Sequence, residues 1–217
     1  MAQHRPGLLQ RCLTTFGVII GIVGILHGSA EVLKGAVLVE TRSVEALPIG
    51  WPNDAFYAMT RGSPVFSILT GIPFFALGLL AITMSIAMIV LCLTVIRVDR
   101  FGLVLFFLLS VGIFLFGAGR GTPVAISLPV LVVCLIYLLM PVNTARSETG
   151  LGRLLLLFNV FYWGHIASWF LFFPGLFILS FYQDIPLWLF LVAFASMPVT
   201  SFGSLVCGVV YDRHSAG

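Results

Sequence analysis

Long apolar runs alternate with short polar breaks over almost the whole chain. A helix needs about 20 apolar residues to cross the hydrocarbon core of a bilayer, so each run is a candidate span. The runs predict about six spans, at residues 13–33, 73–96, 101–116, 124–140, 154–182 and 187–211. The third and fourth are short for a span and the fifth is long. The pattern predicts a single domain over residues 1–217, an all-α polytopic transmembrane helical bundle.

The first run carries a stripe of glycines. They recur at alternating spacings of four and three residues, which places them on one face of a helix that turns about 100° per residue. Glu31 continues this spacing, and His27 lies at the edge of the stripe one turn earlier. Small residues let membrane helices approach closely, so the face is predicted to pack against another helix, with Gly164 and Ser168 of the fifth run as a candidate partner surface. The predicted packing positions are Gly17, Gly21, Gly24 and Gly28.

One long hydrophilic connection, residues 35–63, separates the first run from the second. Asn53 or Asp54 is placed to cap a short helix at 55–60, which would either cover the bundle at the membrane surface or act as a lid over the first helix. Prolines bracket the apolar stretch 65–72, which we interpret as a kinked extension of the second span or a partly inserted segment.

Composition supports a membrane protein. The chain is 60% hydrophobic and 9% charged, with a mean hydropathy of +1.13, whereas soluble domains carry roughly 25% charged residues. A net charge of +3 without a basic run gives no patch for nucleic acid. The protein is therefore expected to lie in the lipid bilayer of the cell membrane. It could form a homo-oligomer there or bind another membrane protein.

Basic residues set the expected orientation. With both termini in the cytoplasm, seven of the eleven basic residues flank the spans on the inside and four lie outside. The four cysteines then lie toward the cytoplasmic ends of their spans, where thiols stay reduced. An alternative makes the first run a secretory signal cleaved after the small residues 28–30, although a glycine-striped run of this length suits helix packing better than a signal core.

Four polar residues are candidates for a site within the membrane, because an ionisable group in lipid is costly. They are His27, Glu31, Arg120 and His165. Counted along their runs at 1.5 Å per residue, the two histidines fall within about one helical turn of each other in depth. They could be axial ligands of a haem b, or His27 could relay protons from Glu31, or each could simply donate to a helix carbonyl. Arg120 is either an interfacial residue of a tight turn or a partner of Glu31 or Asp184.

Motifs for enzymatic chemistry are missing from the sequence. It contains no HExxH, no CxxC and no carboxylate cluster, so no metal site is predicted. It has no Gly-x-Ser-x-Gly elbow, and its Gly-rich turn at 117–123 has neither the lysine nor the following Ser/Thr of a P-loop. We therefore predict no catalytic residues, and an enzyme is not the favoured class.

Several short motifs are spread along the chain, each occurring once: His27-Gly28-x-x-Glu31-x-x-x-Gly35, Trp51-Pro52-Asn53, the glycines of 117–123, WFLFFPG at 169–175 and Tyr211-Asp212. Together they resemble a group of uncharacterised prokaryotic multi-pass membrane proteins. The resemblance covers nearly the whole chain, is most specific in the first helix and implies no activity. The group's pattern has no histidine at the position of His165, which favours His27 and Glu31 over the haem interpretation.

Three functions remain open. The first is transport of a small solute or ion through a polar site in the outer half of the bundle, lined by His27 and Glu31. The second is a non-catalytic membrane subunit whose glycine stripe packs against a partner or its own helices. The third is a redox protein that binds haem b between His27 and His165.

Overall fold

The computed structural model describes residues 7–33, 35–36, 38, 43–44, 65–66, 69, 71–95, 100–116, 130, 132–133, 148–171, 175 and 186–215. Helix α1 is Leu8–Leu33, α2 is Phe74–Val90 with a π-helical continuation Leu91–Val95, α3 is Arg100–Phe116, α4 is Glu148–Phe170 and α5 is Leu187–Ser215. Two short strands, β1 (Ser43–Val44) and β2 (Val65–Phe66), pair antiparallel between α1 and α2. The described part of the chain is thus almost entirely helical.

The predicted helical bundle of a membrane protein is confirmed. Among the described residues, three helices are long and apolar enough to cross a membrane, Leu8–Leu33, Phe74–Thr94 and Leu191–His214, and Phe101–Phe116 is a shorter apolar helix. The fifth predicted span begins earlier than expected, since α4 starts at Glu148. The part of that span after residue 171, apart from Gly175, and most of the fourth, 124–140, lie outside the described residues.

Large apolar side chains cover the outside of the bundle. Soluble monomers rarely expose contiguous apolar patches larger than a few hundred Å², whereas lipid tails are a suitable neighbour for such a surface. The most exposed of these side chains come from all five helices: Leu33, Leu93, Phe101, Leu156, Trp163, Phe170, Trp188 and Val199. This surface agrees with the composition and supports placement of the bundle in a bilayer.

Helix α1 is central to the bundle. It packs along α2 and also meets α3 and α5, and Thr15 and Phe16 reach side chains of α4. The fully buried Phe16 belongs to the main apolar core, which also contains Phe106 of α3 and Phe158 of α4. A helix surrounded in this way has almost no face left for lipid over its first half.

The glycine face of α1 lies directly on α2. A Cβ atom added at Gly28 would lie 2.7 Å from the Gly78 carbonyl oxygen and 3.2 Å from the Ile82 nitrogen. One helical turn earlier, a Cβ at Gly24 would collide with the Ser85 hydroxyl. Since these obstacles include backbone atoms, which cannot rotate away, the two helices meet with no room for side chains between them.

The partner of the glycine face differs from the surface suggested by the sequence. Gly164 and Ser168 of α4 face α5 instead: a Cβ at Gly164 would contact Thr200 Cγ2 at 3.4 Å, and the Ser196 hydroxyl donates to Ser168 Oγ over 2.8 Å. The prediction that this patch receives the stripe is therefore wrong. Helices α2 and α4 both contain small residues, and sequence spacing alone did not show which of the two would pack against α1.

A backbone hydrogen bond links the turn that follows α1 to the first turn of α2, although a long connection separates the two helices in sequence. Gly35 adopts a positive φ of 71°, a conformation that glycine enters without steric strain. Its carbonyl accepts a hydrogen bond of 2.9 Å from the Phe75 nitrogen. The stretch 65–72 does not extend α2, because Val65–Phe66 pairs as a strand and the helix begins after Pro73. The kinked extension is therefore wrong, and the alternative of a partly inserted segment stays a prediction. The short helix predicted at 55–60 lies outside the described residues.

The two terminal helices are joined at one end of the bundle. The Asp212 carboxylate of α5 accepts hydrogen bonds from the first two backbone N–H groups of α1, those of Leu8 at 2.8 Å and Leu9 at 2.9 Å. The first turn of any helix has N–H groups without helical partners and a partial positive charge. Asp212 thus caps α1 from a position more than 200 residues away in the sequence.

Candidate functional site

Glu31 is buried near the end of α1. Its side chain is only 6% exposed, although it belongs to the last turns of a helix that is otherwise apolar and long enough to span a bilayer. It sits between Gly28 and Val32, which both contact Gly78 of α2. Close backbone approach between α1 and α2 therefore flanks the carboxyl group, and burial of an ionisable group in a membrane helix is costly.

His27 is partly buried and turns toward its own helix. Its Nδ1–H donates to the Val23 carbonyl oxygen over 3.1 Å. This bond is local to the helix, and any other partner of the ring would be bonded through Nε2. The structure therefore places His27 one turn from Glu31 on α1, as the helical spacing requires, with its Nδ1 bonded to the backbone of its own helix.

His165 lies in a different part of the bundle, where α1, α4 and α5 meet. Its side chain is completely buried, and its ring packs against the ring of Phe16 with centroids 4.3 Å apart. The Nδ1–H group donates to the Met197 carbonyl of α5 over 3.2 Å. These contacts fix the ring on both its face and its edge.

The two histidines are not at the same level, and the depth estimate from the sequence is wrong. Helices α1 and α4 run parallel. Leu9 of α1 and Phe158 of α4 both lie next to Gly208 of α5, and seven residues further along each helix Phe16 contacts His165. His27 is eleven residues beyond Phe16, which corresponds to about 16 Å along the helix axis. The estimate assumed that the two helices begin flush, whereas α4 extends ten residues beyond the first turn of α1.

This separation does not fit a haem held between His27 and His165. Axial ligands of one haem approach the iron from opposite sides of a flat ring, so they must lie at one level of a bundle. Within the described ranges, no cluster of three or more His, Cys, Asp or Glu residues has the arrangement of a metal site. The buried thiols of Cys12, Cys92 and Cys207 are free cysteines.

A polar seam between α4 and α5 was not predicted. Ser196 donates to Ser168, and Ser168 in turn donates to the Gly164 carbonyl over 2.7 Å. Thr200 Oγ1 lies 3.4 Å from Nδ1 of His165, at the end of the same seam. The hint in the sequence was the small and hydroxylated residues repeating along α5, which mark a packing face. They gave no indication that His165 would lie against them.

A hydrogen bond between Tyr162 and Thr15 ties α4 to α1 beside the seam. The two hydroxyls are 2.7 Å apart. Removing it in Tyr162→Phe is expected to lower the free energy of unfolding by about 1 kcal/mol, the usual net value of one such bond. The measurement is denaturant unfolding in detergent micelles followed by circular dichroism. Thr15→Val is the matched variant: the double variant is expected to cost less than the sum of the two single losses, and strict additivity would contradict the pairing.

Arg120 and Asp184 lie outside the described residues, so the proposed pairing of Arg120 with Glu31 or Asp184 stays a prediction.

Comparison with known proteins adds no relative: no protein-family model matches the chain, and no curated protein or solved structure matches it. The resemblance based on the His27-Gly28-x-x-Glu31 motif accordingly also stays a prediction, and the candidate site rests on its own geometry.

Proposed function

We propose that this chain is a multi-pass protein of the cell membrane, with about six spans and both termini in the cytoplasm, that moves a small solute or ion through a polar site at His27 and Glu31. The observation that carries the proposal is the burial of Glu31, which is 6% exposed in a membrane-length apolar helix. A buried acidic group destabilises such a helix, and in membrane proteins these groups commonly mark ion and substrate paths.

The orientation rests on the distribution of charge. Seven basic residues lie beside the proposed cytoplasmic ends and four on the other side, which agrees with the excess of positive charge in cytoplasmic loops. In this orientation Glu31 lies near the outer end of α1, with His27 about 6 Å deeper along the helix axis. A solute entering from outside would meet the carboxyl first and the imidazole next.

The alternative is a non-catalytic membrane subunit whose glycine stripe packs against a partner or against its own helices. The glycine face is covered by α2 of the same chain, which agrees with packing against its own helices and gives no support for a partner at this face. Tight packing of α1 on α2 stabilises the bundle itself. It is compatible with transport because the packed glycines and the polar site lie on successive turns of α1.

Flux measurements on purified protein in liposomes test the proposal. Liposomes containing a pH-sensitive dye report proton movement, and radiolabelled sodium, potassium and chloride report other ions. We expect the wild type to pass at least one of these above the level of empty liposomes and Glu31→Gln to fall to that level, because glutamine keeps the shape of the side chain but cannot carry a negative charge or bind and release a proton.

The matched control for His27 is His214. Its Nδ1–H also donates to a carbonyl four residues earlier, that of Val210 at 2.7 Å, but it lies near the end of α5. His27→Gln is expected to reduce flux, whereas His214→Gln is expected to leave it unchanged. Flux in Glu31→Gln equal to that of the wild type would refute the assignment of Glu31, and equal loss in both histidine variants would point to general damage to the fold.

A further inference from the structure

His165 and Trp169 share one buried face of α4. They are four residues apart, which on a helix brings their Cβ atoms within about 6 Å of each other. His165 is fully buried and Trp169 is 6% exposed. Both side chains therefore place polar atoms in the apolar centre of the bundle, next to the seam with α5.

Each of these side chains has a buried nitrogen without a hydrogen-bond partner among the described residues, Nε2 of His165 and Nε1 of Trp169. Because Nδ1–H of His165 is used by the Met197 carbonyl, its Nε2 carries a lone pair and can only accept in the neutral ring. The Trp169 indole N–H can only donate. Leaving either group unsatisfied costs about 1–3 kcal/mol, so a common partner for both would stabilise the bundle.

We infer that the face formed by His165 and Trp169 binds a small neutral molecule with a hydroxyl group, of which water is the smallest. Its oxygen accepts from the Trp169 N–H, and its hydrogen is donated to Nε2 of His165. A cation does not suit the position, because the indole N–H presents its positive end, and an anion does not suit it, because Nε2 presents a lone pair. The inference is independent of the transport proposal, since it concerns another region of the bundle.

Nuclear magnetic resonance of the full chain in lipid nanodiscs, with ¹⁵N-labelled tryptophan and histidine, tests this binding with water as the probe. The chain has four tryptophans, and Trp169→Phe identifies the Trp169 indole signal. We expect cross-relaxation between this indole proton and a long-lived water. Trp163 and Trp188, at 63% and 64% exposed, serve as references whose indole protons have no such water. Failure to detect the water in the folded wild type overturns the inference.

His165→Phe removes the acceptor and keeps a ring of similar size. The residence time of the water at Trp169 is expected to fall about fivefold, the equivalent of one lost hydrogen bond, and an unchanged residence time overturns the inference. Should this variant not fold, Trp169→Phe supplies the second reading. Loss of the bridging water is then expected to shift the ¹⁵N resonance of His165 Nε2, and an unshifted resonance overturns the inference equally.

Discussion

Replacing Gly28 with alanine is expected to lower the free energy of unfolding by about 2 kcal/mol, a typical value for an overpacked interior position. The new methyl group would lie 2.7 Å from the Gly78 carbonyl oxygen and 3.2 Å from the Ile82 nitrogen. Both atoms belong to the backbone of α2, so α1 and α2 must move apart to relieve the steric clash. The loss is measured by detergent-induced unfolding, with circular dichroism as the signal.

Gly152 of α4 provides the matched control for this substitution. It is also a helical glycine, but a Cβ there would meet nothing within 4 Å. Gly152→Ala is expected to leave stability unchanged or raise it by up to about 1 kcal/mol, because alanine favours the helix more than glycine does. If Gly28→Ala proved as stable as Gly152→Ala, the close contact between α1 and α2 described above would be wrong.

Asp212→Ala is expected to lower the free energy of unfolding by about 2 kcal/mol, near the upper end for the loss of a helix cap. The variant leaves the N–H groups of Leu8 and Leu9 without their carboxylate acceptor. The same change separates the ends of α1 and α5, so hydrogen exchange should accelerate at these two amides more than elsewhere in α1. Exchange measured by mass spectrometry on peptides from the first turn detects this local effect.

Asp212→Asn separates the two contributions of that cap. Asparagine keeps one oxygen acceptor and loses the negative charge that complements the helix dipole, so its loss should lie between zero and that of Asp212→Ala. A larger loss in Asp212→Asn than in Asp212→Ala would show that the carboxylate does not stabilise α1 in the way the hydrogen bonds indicate.

Among the described residues the sequence predicted α2 and α3 well, because the length and hydrophobicity of a run are local properties. Helix α3 occupies almost the predicted range, 101–116, and α2 with its π-helical end occupies most of 73–96. The glycine spacing likewise indicated which face of α1 would be close to another helix. Each of these features is determined by residues within a few turns of one another.

The packing of one helix against another was harder to predict from the sequence. Whether α1 would meet Gly78 of α2 or Gly164 of α4 depends on how whole helices fit, and both surfaces offered small residues. The stagger between α1 and α4 is a second case, since apolar runs define where a helix can cross a bilayer but not how far its end extends beyond a neighbour. For that reason His165 was assigned to the level of His27, although it contacts Phe16.

The cap on α1 was also beyond sequence reasoning. No residue near Leu8 suggests that its N–H groups have a partner, and Asp212 looks like an ordinary charged residue at the end of the last apolar run. Only the folded arrangement brings them together. The burial of Glu31, in contrast, was partly foreseeable, because its place in the glycine spacing put it on the face that packs inward.

The link between Asp212 and the first turn of α1 has a consequence for biosynthesis. A ribosome adds about 5–20 residues per second, so the 204 residues that separate Leu8 from Asp212 take roughly 10 to 40 seconds to make. Helix α2 is synthesised early enough to pair with the glycine face while translation continues. The start of α1 must wait, with its amides bonded to water or lipid headgroups, until α5 has been made. The newly inserted chain therefore remains open at this end until Asp212 is synthesised.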